Sequence, residues 1–174
     1  MSDQLIAQQV GKKIKLVWTY APAPSWPDAN GYIYNEGEFE DMWVPGYSSG
    51  SGVQSKESDH LYLRGGTLAS TSRGERTYVT DEMIDVTNYN ALKIEWQVVA
   101  YWGGLGALIV STNKMGNYLT YDAQLTQTFG TGGRVIGSLD ISSLNGNYYI
   151  RMHAVSDPYG EIPGVIEAYK VWLE

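Results

Sequence analysis

The sequence contains no cysteine, only two histidines and only two phenylalanines among its 174 residues. Without cysteine no disulfide can staple the fold and no thiolate can serve as nucleophile or metal ligand, so packing must hold the chain together. Neither His60 nor His153 has a second His or Cys at metal-ligand spacing, which argues against zinc. The serines of the Gly/Ser stretch 46–52, Ser49 and Ser51 among them, fall in what reads as a flexible loop, poor support for a nucleophile that must be held in place, so a Ser-His-Asp triad has little foothold. Positive charge is also short: 12 Lys and Arg against 19 Asp and Glu leave a net charge of -7. Such a field repels polyphosphates and anionic lipid surfaces, and neither nucleic acid nor membrane is an expected partner. Long apolar runs are missing too. No segment approaches the roughly 20 residues of a membrane span, and residues 1–16 hold no apolar stretch of signal-peptide length. The chain is therefore expected to be made in the cytoplasm and to stay there unless it leaves by lysis or another non-classical route.

Tyrosine and tryptophan, by contrast, are abundant, at 14 and 6 residues. Both carry a polar edge on an apolar body, which suits half-wet surfaces, and both favour strands. The length fits one domain with a substantial core. Residues 1–30 read as an N-terminal arm and proline-rich linker, and residues 31–174 as the folded domain. In the arm Leu5, Ile6 and Val10 lie near helical spacing, so a short peripheral helix is expected over residues 3–10, while residues 13–20 alternate like a strand. Pro22, Pro24 and Pro27 then forbid regular structure.

From Gly31 onward short β-runs are punctuated by Gly, Asn, Asp and Ser, the pattern of an all-β antiparallel β-sandwich. Strands are expected at 32–35, 39–44, 60–64, 67–72, 77–86, 91–100, 105–111, 133–141, 147–155 and 165–173. Leu92, Ile94, Trp96 and Val98 alternate with Lys93, Glu95 and Gln97, as a half-buried strand requires. Tyr148, Ile150, Met152 and Ala154 form a second apolar set, which leaves Tyr149, Arg151 and His153 together on the opposite face. Residues 105–110 supply apolar groups to both faces, so that strand should be covered on both sides. The Gly/Ser stretch 46–52 reads as a mobile surface loop, and residues 129–133 as a hairpin turn.

One pattern recurs: Asp85-Val86-Thr87-Asn88-Tyr89-Asn90 and Asp140-Ile141-Ser142-Ser143-Leu144-Asn145 each precede a strand. In both, Asp and a hydroxyl residue can bond nearby backbone N–H groups and fix a corner. Extended through Gly146-Asn147-Tyr148-Tyr149-Ile150, the second segment resembles the D-ϕ-S-x-L-x-G-x-Y-ϕ-ϕ stretch of carbohydrate-binding-module-like jelly rolls. The first segment, continued by Ala91-Leu92-Lys93-Ile94, and the closing Tyr169-Lys170-Val171-Trp172-Leu173 are similar to segments of structural proteins of bacteriophages of Gram-positive hosts. The resemblance spans roughly residues 32–174. It implies a jelly-roll sandwich of the tail-associated, receptor-binding or capsid-decorating kind. Other virion proteins, further copies of the same chain in a homo-oligomer and a cell-surface glycan are the implied partners.

Candidate chemistry is sparse. Glu36, Glu38 and Glu40 would share one side of a strand, which fits a solvated edge, a calcium site drawing on Asp28, Asn30 and Glu36, or the paired carboxylates of a glycosidase. Calcium is the only cofactor these residues suggest. Sugar binding needs an aromatic face beside planar polar side chains. Trp26 with Tyr32 and Tyr34, Tyr101 and Trp102 with Tyr118 and Tyr121, or the Tyr149, Arg151 and His153 face could supply it. The second group is preferred, because Trp102 and Tyr118 lie in glycine-containing loops, where rings are exposed without disturbing a sheet. The leading expectation is a non-enzymatic phage virion protein acting through assembly contacts. A stand-alone carbohydrate-binding module is the alternative, and a polysaccharide-degrading enzyme would need a cleft of paired carboxylates that the sequence does not display.

Overall fold

Period-two alternation separates a buried face from an outward face most plainly along residues 91–99, and two sheets close their apolar faces on each other. The computed structural model describes residues 4–10, 13–19, 26–66, 74–99, 104–128, 130–156 and 164–174, the first two stretches by backbone alone. Their strands are β1 (Gln4–Val10), β2 (Lys13–Thr19), β3 (Tyr32–Asn35), β4 (Trp43–Pro45), β5 (Val53–Lys56), β6 (Leu61–Arg64), β7 (Gly74–Thr80), β8 (Ile84–Asp85), β9 (Ala91–Val99), β10 (Leu105–Ser111), β11 (Ala123–Gln127), β12 (Val135–Asp140), β13 (Asn147–Ser156) and β14 (Val165–Leu173). One sheet runs β11-β10-β13-β7-β4 with β8 also on β13, and the other runs β12-β9-β14-β6-β5 with β3 also on β14. All pairings are antiparallel. The fold is thus an all-β antiparallel sandwich of jelly-roll type. Among the described residues no helix is long and apolar enough to cross a membrane.

The core is the one the alternation predicts. Leu92, Ile94, Trp96 and Val98 of β9 face Leu108 and Val110 of β10 and Ile150, Met152 and Ala154 of β13 in one apolar cluster. Trp43 and Tyr34 join it fully buried, and burial pushes the Tyr34 phenol up to about 12. β10 is covered on both faces, with Ala107, Leu108, Ile109 and Val110 all inaccessible to solvent.

Several expectations are corrected. Residues 4–10 form a strand and not a helix: β1 pairs with β2 from Gln4 opposite Thr19 to Val10 opposite Lys13. An eight-residue helix is marginal alone, whereas a hairpin partner lay next in sequence. The acidic run does not form one strand face, because Glu36 (φ 45) and Phe39 (φ 66) turn the chain and residues 40–42 form a 3-10 turn before β4. The 46–52 stretch is tied along β7: Ser49 and Glu75 exchange backbone hydrogen bonds of 3.1 and 2.9 Å, and Arg76 donates to the Ser49 and Gly50 carbonyls at 3.0 Å each. Residues 130–134 carry the chain from the β13 sheet to the β14 sheet and do not turn a hairpin. The strand expected at 67–72 lies outside the described residues, as do residues 21–25 of the linker.

Both corners form as the repeated motif implies. Asp85 Oδ1 accepts from the Thr87 N–H (3.0 Å) and hydroxyl (2.6 Å), and Asp140 Oδ1 accepts from the Ser142 N–H (2.9 Å) and hydroxyl (2.7 Å). These bonds, the hydroxyl first and the backbone N–H second, hold both carboxyls below their ordinary value of 3.8. Each therefore releases its proton more readily folded than unfolded. Their contribution to stability is complete above pH 3.8 and drains away as pH falls through the lower folded values. An Asp85→Asn/Asp140→Asn protein keeps the acceptor oxygens but cannot titrate. Its stability, followed by circular dichroism between about pH 5 and about pH 1, is expected to fall less steeply than that of the wild type. Superimposable curves would contradict the assignment.

Candidate functional site

The outward face of the β13 sheet carries a polar cluster where a sandwich surface would ordinarily meet water. Register puts His153 opposite Thr77 of β7 and Ala107 of β10, and Arg151 opposite Val79 and Ile109. Glu75, two residues before Thr77, shares that face. The side chains of Thr77, Arg151 and His153 are fully buried, and Glu75 is 3% exposed.

Burial comes from the β10–β11 connection, residues 112–122, which folds back over the sheet as a strap. Its neck is closed by Asp122, whose Oδ2 accepts from the Thr112 N–H at 2.8 Å. Its bends are Asx turns: Asn113 Oδ1 accepts from the Met115 N–H (3.0 Å) and Asn117 Oδ1 from the Leu119 N–H (3.1 Å), the local bonding that makes Asn a turn residue. The Arg151 guanidinium donates to the carbonyls of Gly116, Asn117 and Thr120. Glu75 Oε1 accepts from the Tyr118 N–H at 2.8 Å, and the Gln124 amide donates to the Tyr118 carbonyl at 2.7 Å. Lys114 Nζ ties the far side to Asp81 at 2.7 Å.

Beneath the strap, His153 Nδ1 lies 2.6 Å from Glu75 Oε1 and 2.9 Å from Thr77 Oγ1. A carboxylate only accepts, so the proton resides on Nδ1 and Nε2 keeps its lone pair. Burial, which favours the neutral ring, lowers the His153 pKa against the opposite pull of the Glu75 hydrogen bond. Burial likewise pulls Arg151 down to about 10. Two buried atoms here, Arg151 Nε and His153 Nε2, have no hydrogen-bond partner among the described residues.

Of the sequence candidates, Tyr149, Arg151 and His153 do share a face, but the last two form a covered floor rather than an open surface. Tyr149 is half-buried, with Lys114 Nζ 5.6 Å from its ring centre. Tyr118 is half-buried in the strap, and Tyr121 is 51% exposed on it. Tyr101 and Trp102 lie outside the described residues. The Trp26, Tyr32 and Tyr34 group is dispersed: Tyr34 is core, Trp26 packs edge-on against Phe39 (4.6 Å), and Tyr32 leans on Trp172 (6.1 Å). Sequence reading missed Glu75 and Thr77. The signal was there in their spacing, since Glu75 and Thr77 precede buried Val79 at period two.

The calcium candidates are engaged elsewhere. Asp28 Oδ1 accepts from the N–H groups of Asn30 (2.9 Å) and Tyr32 (2.8 Å), and Glu36 pairs with Lys170 (3.6 Å) and Arg134 (3.7 Å). No group of three or more His, Cys, Asp or Glu side chains with metal-binding geometry occurs among the described residues. Glu36 belongs to a charged lattice on the outward face of the β14 sheet, where Arg134 also lies 3.3 Å over the Tyr169 ring and pairs with Asp59.

No protein-family model matches the sequence, and no curated protein matches it. Solved structures do. The carbohydrate recognition domain of Emp46p in its potassium-bound form aligns with a TM-score of 0.53 at 10% identity, covering 83% of this chain and 96% of that one. The family 11 carbohydrate-binding module from Clostridium thermocellum, in complex with a β-1,3-1,4-mixed-linked tetrasaccharide, aligns at 0.51 and 11%, covering 82% and 94%. The carbohydrate recognition domain of Emp47p aligns at 0.51 and 9%, covering 84% and 95%. At such identities the likeness is one of fold: the two-sheet jelly roll that these structures share with this chain.

Proposed function

We propose that this chain is a non-catalytic carbohydrate-binding domain that engages a neutral polysaccharide on the outward face of its β13 sheet. The observation that carries the reading is the grouping of Glu75, Thr77, Arg151 and His153 on that face, with Tyr118, Tyr121 and Tyr149 around it. Planar hydrogen-bonding groups beside aromatic rings are what sugar recognition requires. The family 11 module, which shares the fold, is described with a tetrasaccharide bound, and this supports the reading. Tyr101 and Trp102, preferred on the sequence grounds given above, are included in the proposal as candidate rings.

Affinity electrophoresis through soluble mixed-linkage β-glucan, xylan and mannan tests it. The wild type is expected to be retarded by at least one, with Trp102→Ala and Tyr121→Ala each weakening binding about tenfold, as loss of an aromatic anchor does. Absence of retardation by every polysaccharide, or retardation indifferent to both substitutions, would count against it. Assembly into a phage particle, with other virion proteins or further copies of this chain as partners, rests on the resemblance of the corner segments alone. Light scattering separates the two roles: a glycan-binding domain acting alone is a monomer.

A further inference from the structure

The strap over the β13 sheet is attached differently from the rest of the fold. Three of its large apolar residues are turned to solvent, with Met115 56%, Leu119 62% and Tyr121 51% exposed. Its hydrogen bonds to the floor use its backbone: carbonyls of Gly116, Asn117 and Thr120 on Arg151, and the Tyr118 N–H on Glu75.

What the strap offers the floor is also what a sugar offers. A hydroxyl both accepts, as the carbonyls do for Arg151, and donates, as the Tyr118 N–H does for Glu75. The strap leaves two buried floor atoms unmatched: the Arg151 Nε–H, a donor, and His153 Nε2, an acceptor in the neutral ring. Buried polar atoms without partners are uncommon in native structures and call for a reason. Hydroxyls supply both senses of bond, and the peptide strap reaches neither atom.

We infer that residues 112–122 occupy, in the unliganded chain, a saccharide-binding floor formed by Glu75, Thr77, Arg151 and His153, and that a neutral oligosaccharide binds by displacing them. The inference rests on the glycan-binding reading above and adds a gate to it. Apparent affinity then falls by the fraction of time the floor is uncovered. Weakening the ties outside the floor, Lys114 to Asp81 and Asp122 to Thr112, uncovers it more often while leaving every floor residue in place.

The experiment pairs amide hydrogen exchange with calorimetric titration, using a mixed-linkage β-glucan tetrasaccharide, a xylan hexasaccharide and a mannan hexasaccharide as probes. In the free wild type the Tyr118 amide is expected to exchange through a local opening insensitive to low denaturant, while the Arg151 and His153 amides exchange only on global unfolding. A Lys114→Ala/Asp122→Ala protein should expose the Tyr118 amide further and bind the active probe about tenfold more tightly. Saturating probe should deprotect Tyr118 in the wild type. Binding that leaves the Tyr118 amide as protected as before, with equal affinity in both proteins, overturns the gate and leaves glycan binding itself standing, on the rings around the strap and not on the covered floor. A Tyr118 amide that opens only with the whole fold overturns the gate without any ligand. Failure of all three probes to bind either protein overturns both readings.

Discussion

Arg151→Ala is expected to lower the unfolding free energy by about 3 kcal/mol and the midpoint temperature by roughly 10 °C, and to abolish glycan binding. The guanidinium is fully buried and donates to carbonyls of Gly116, Asn117 and Thr120. Hydrogen bonds from a charged donor are each worth more than neutral ones, and their loss is partly recovered when the released strap hydrates its carbonyls. The floor also loses the cation beside Glu75, and a buried acid deprived of its neighbouring cation is costly. Arg151→Lys should rescue little, since one ammonium cannot span acceptors on separate turns as the planar fork does. Urea denaturation and calorimetric titration read both effects. A variant within about 0.5 kcal/mol of the wild type, or one that still binds, would show that the guanidinium is not what joins strap to floor.

Gly74→Ala is expected to cost about 4 kcal/mol or more. Gly65 follows the last residue of β6 in one sheet and Gly74 begins β7 in the other, and the two backbones meet there. A Cβ on Gly74 would run into the Gly65 carbonyl oxygen and come within 2.6 Å of the Ser51 oxygen. Both obstacles are backbone, so no side chain can swing aside. The Gly65 N–H is itself committed to the Gly164 carbonyl at 2.9 Å, which pins the obstructing peptide. Gly133 has open space around its Cβ position, and Gly133→Ala serves as the control, expected to change stability by less than about 1 kcal/mol. Equal stabilities for the two variants would mean the sheets can separate at this end at no cost.

Much of the fold was legible because alternation is a local signal. β9 shows it in full, with four buried apolar residues separated by half-buried polar ones, and the doubly apolar run of β10 correctly foretold cover on both faces. The Asp-hydroxyl corners were legible for the same reason: donor and acceptor lie two residues apart. Two of the edge strands were not, although β12, also at an edge, lies within the run expected at 133–141. β5 (Val-Gln-Ser-Lys) and β11 (Ala-Gln-Leu-Thr-Gln) carry mixed side chains, since an edge buries little and is kept polar against unwanted pairing.

The site was half legible. Alternation placed Tyr149, Arg151 and His153 on one face, but their cover depends on a loop without periodicity. The pairing of His153 with Glu75 joins residues 78 apart in sequence, on strands whose adjacency no local pattern encodes. The ranking of functions shifted for a different reason. The corner segments resemble both phage structural proteins and carbohydrate-binding modules because they encode a jelly roll and not a ligand. The comparison of whole folds shows that jelly roll, and the glycan reading proposed above draws on it as a fold only.

The most direct measurement is an amide chemical-shift titration of the labelled protein with a mixed-linkage β-glucan tetrasaccharide and its xylan and mannan counterparts. Saturable shifts gathered on β7, β10, β13 and residues 112–122 are predicted for the probe that binds. Shifts gathered on the charged outward face of β9 and β14, around Arg134 and Lys170, or none with any probe, would contradict glycan recognition on the β13 sheet.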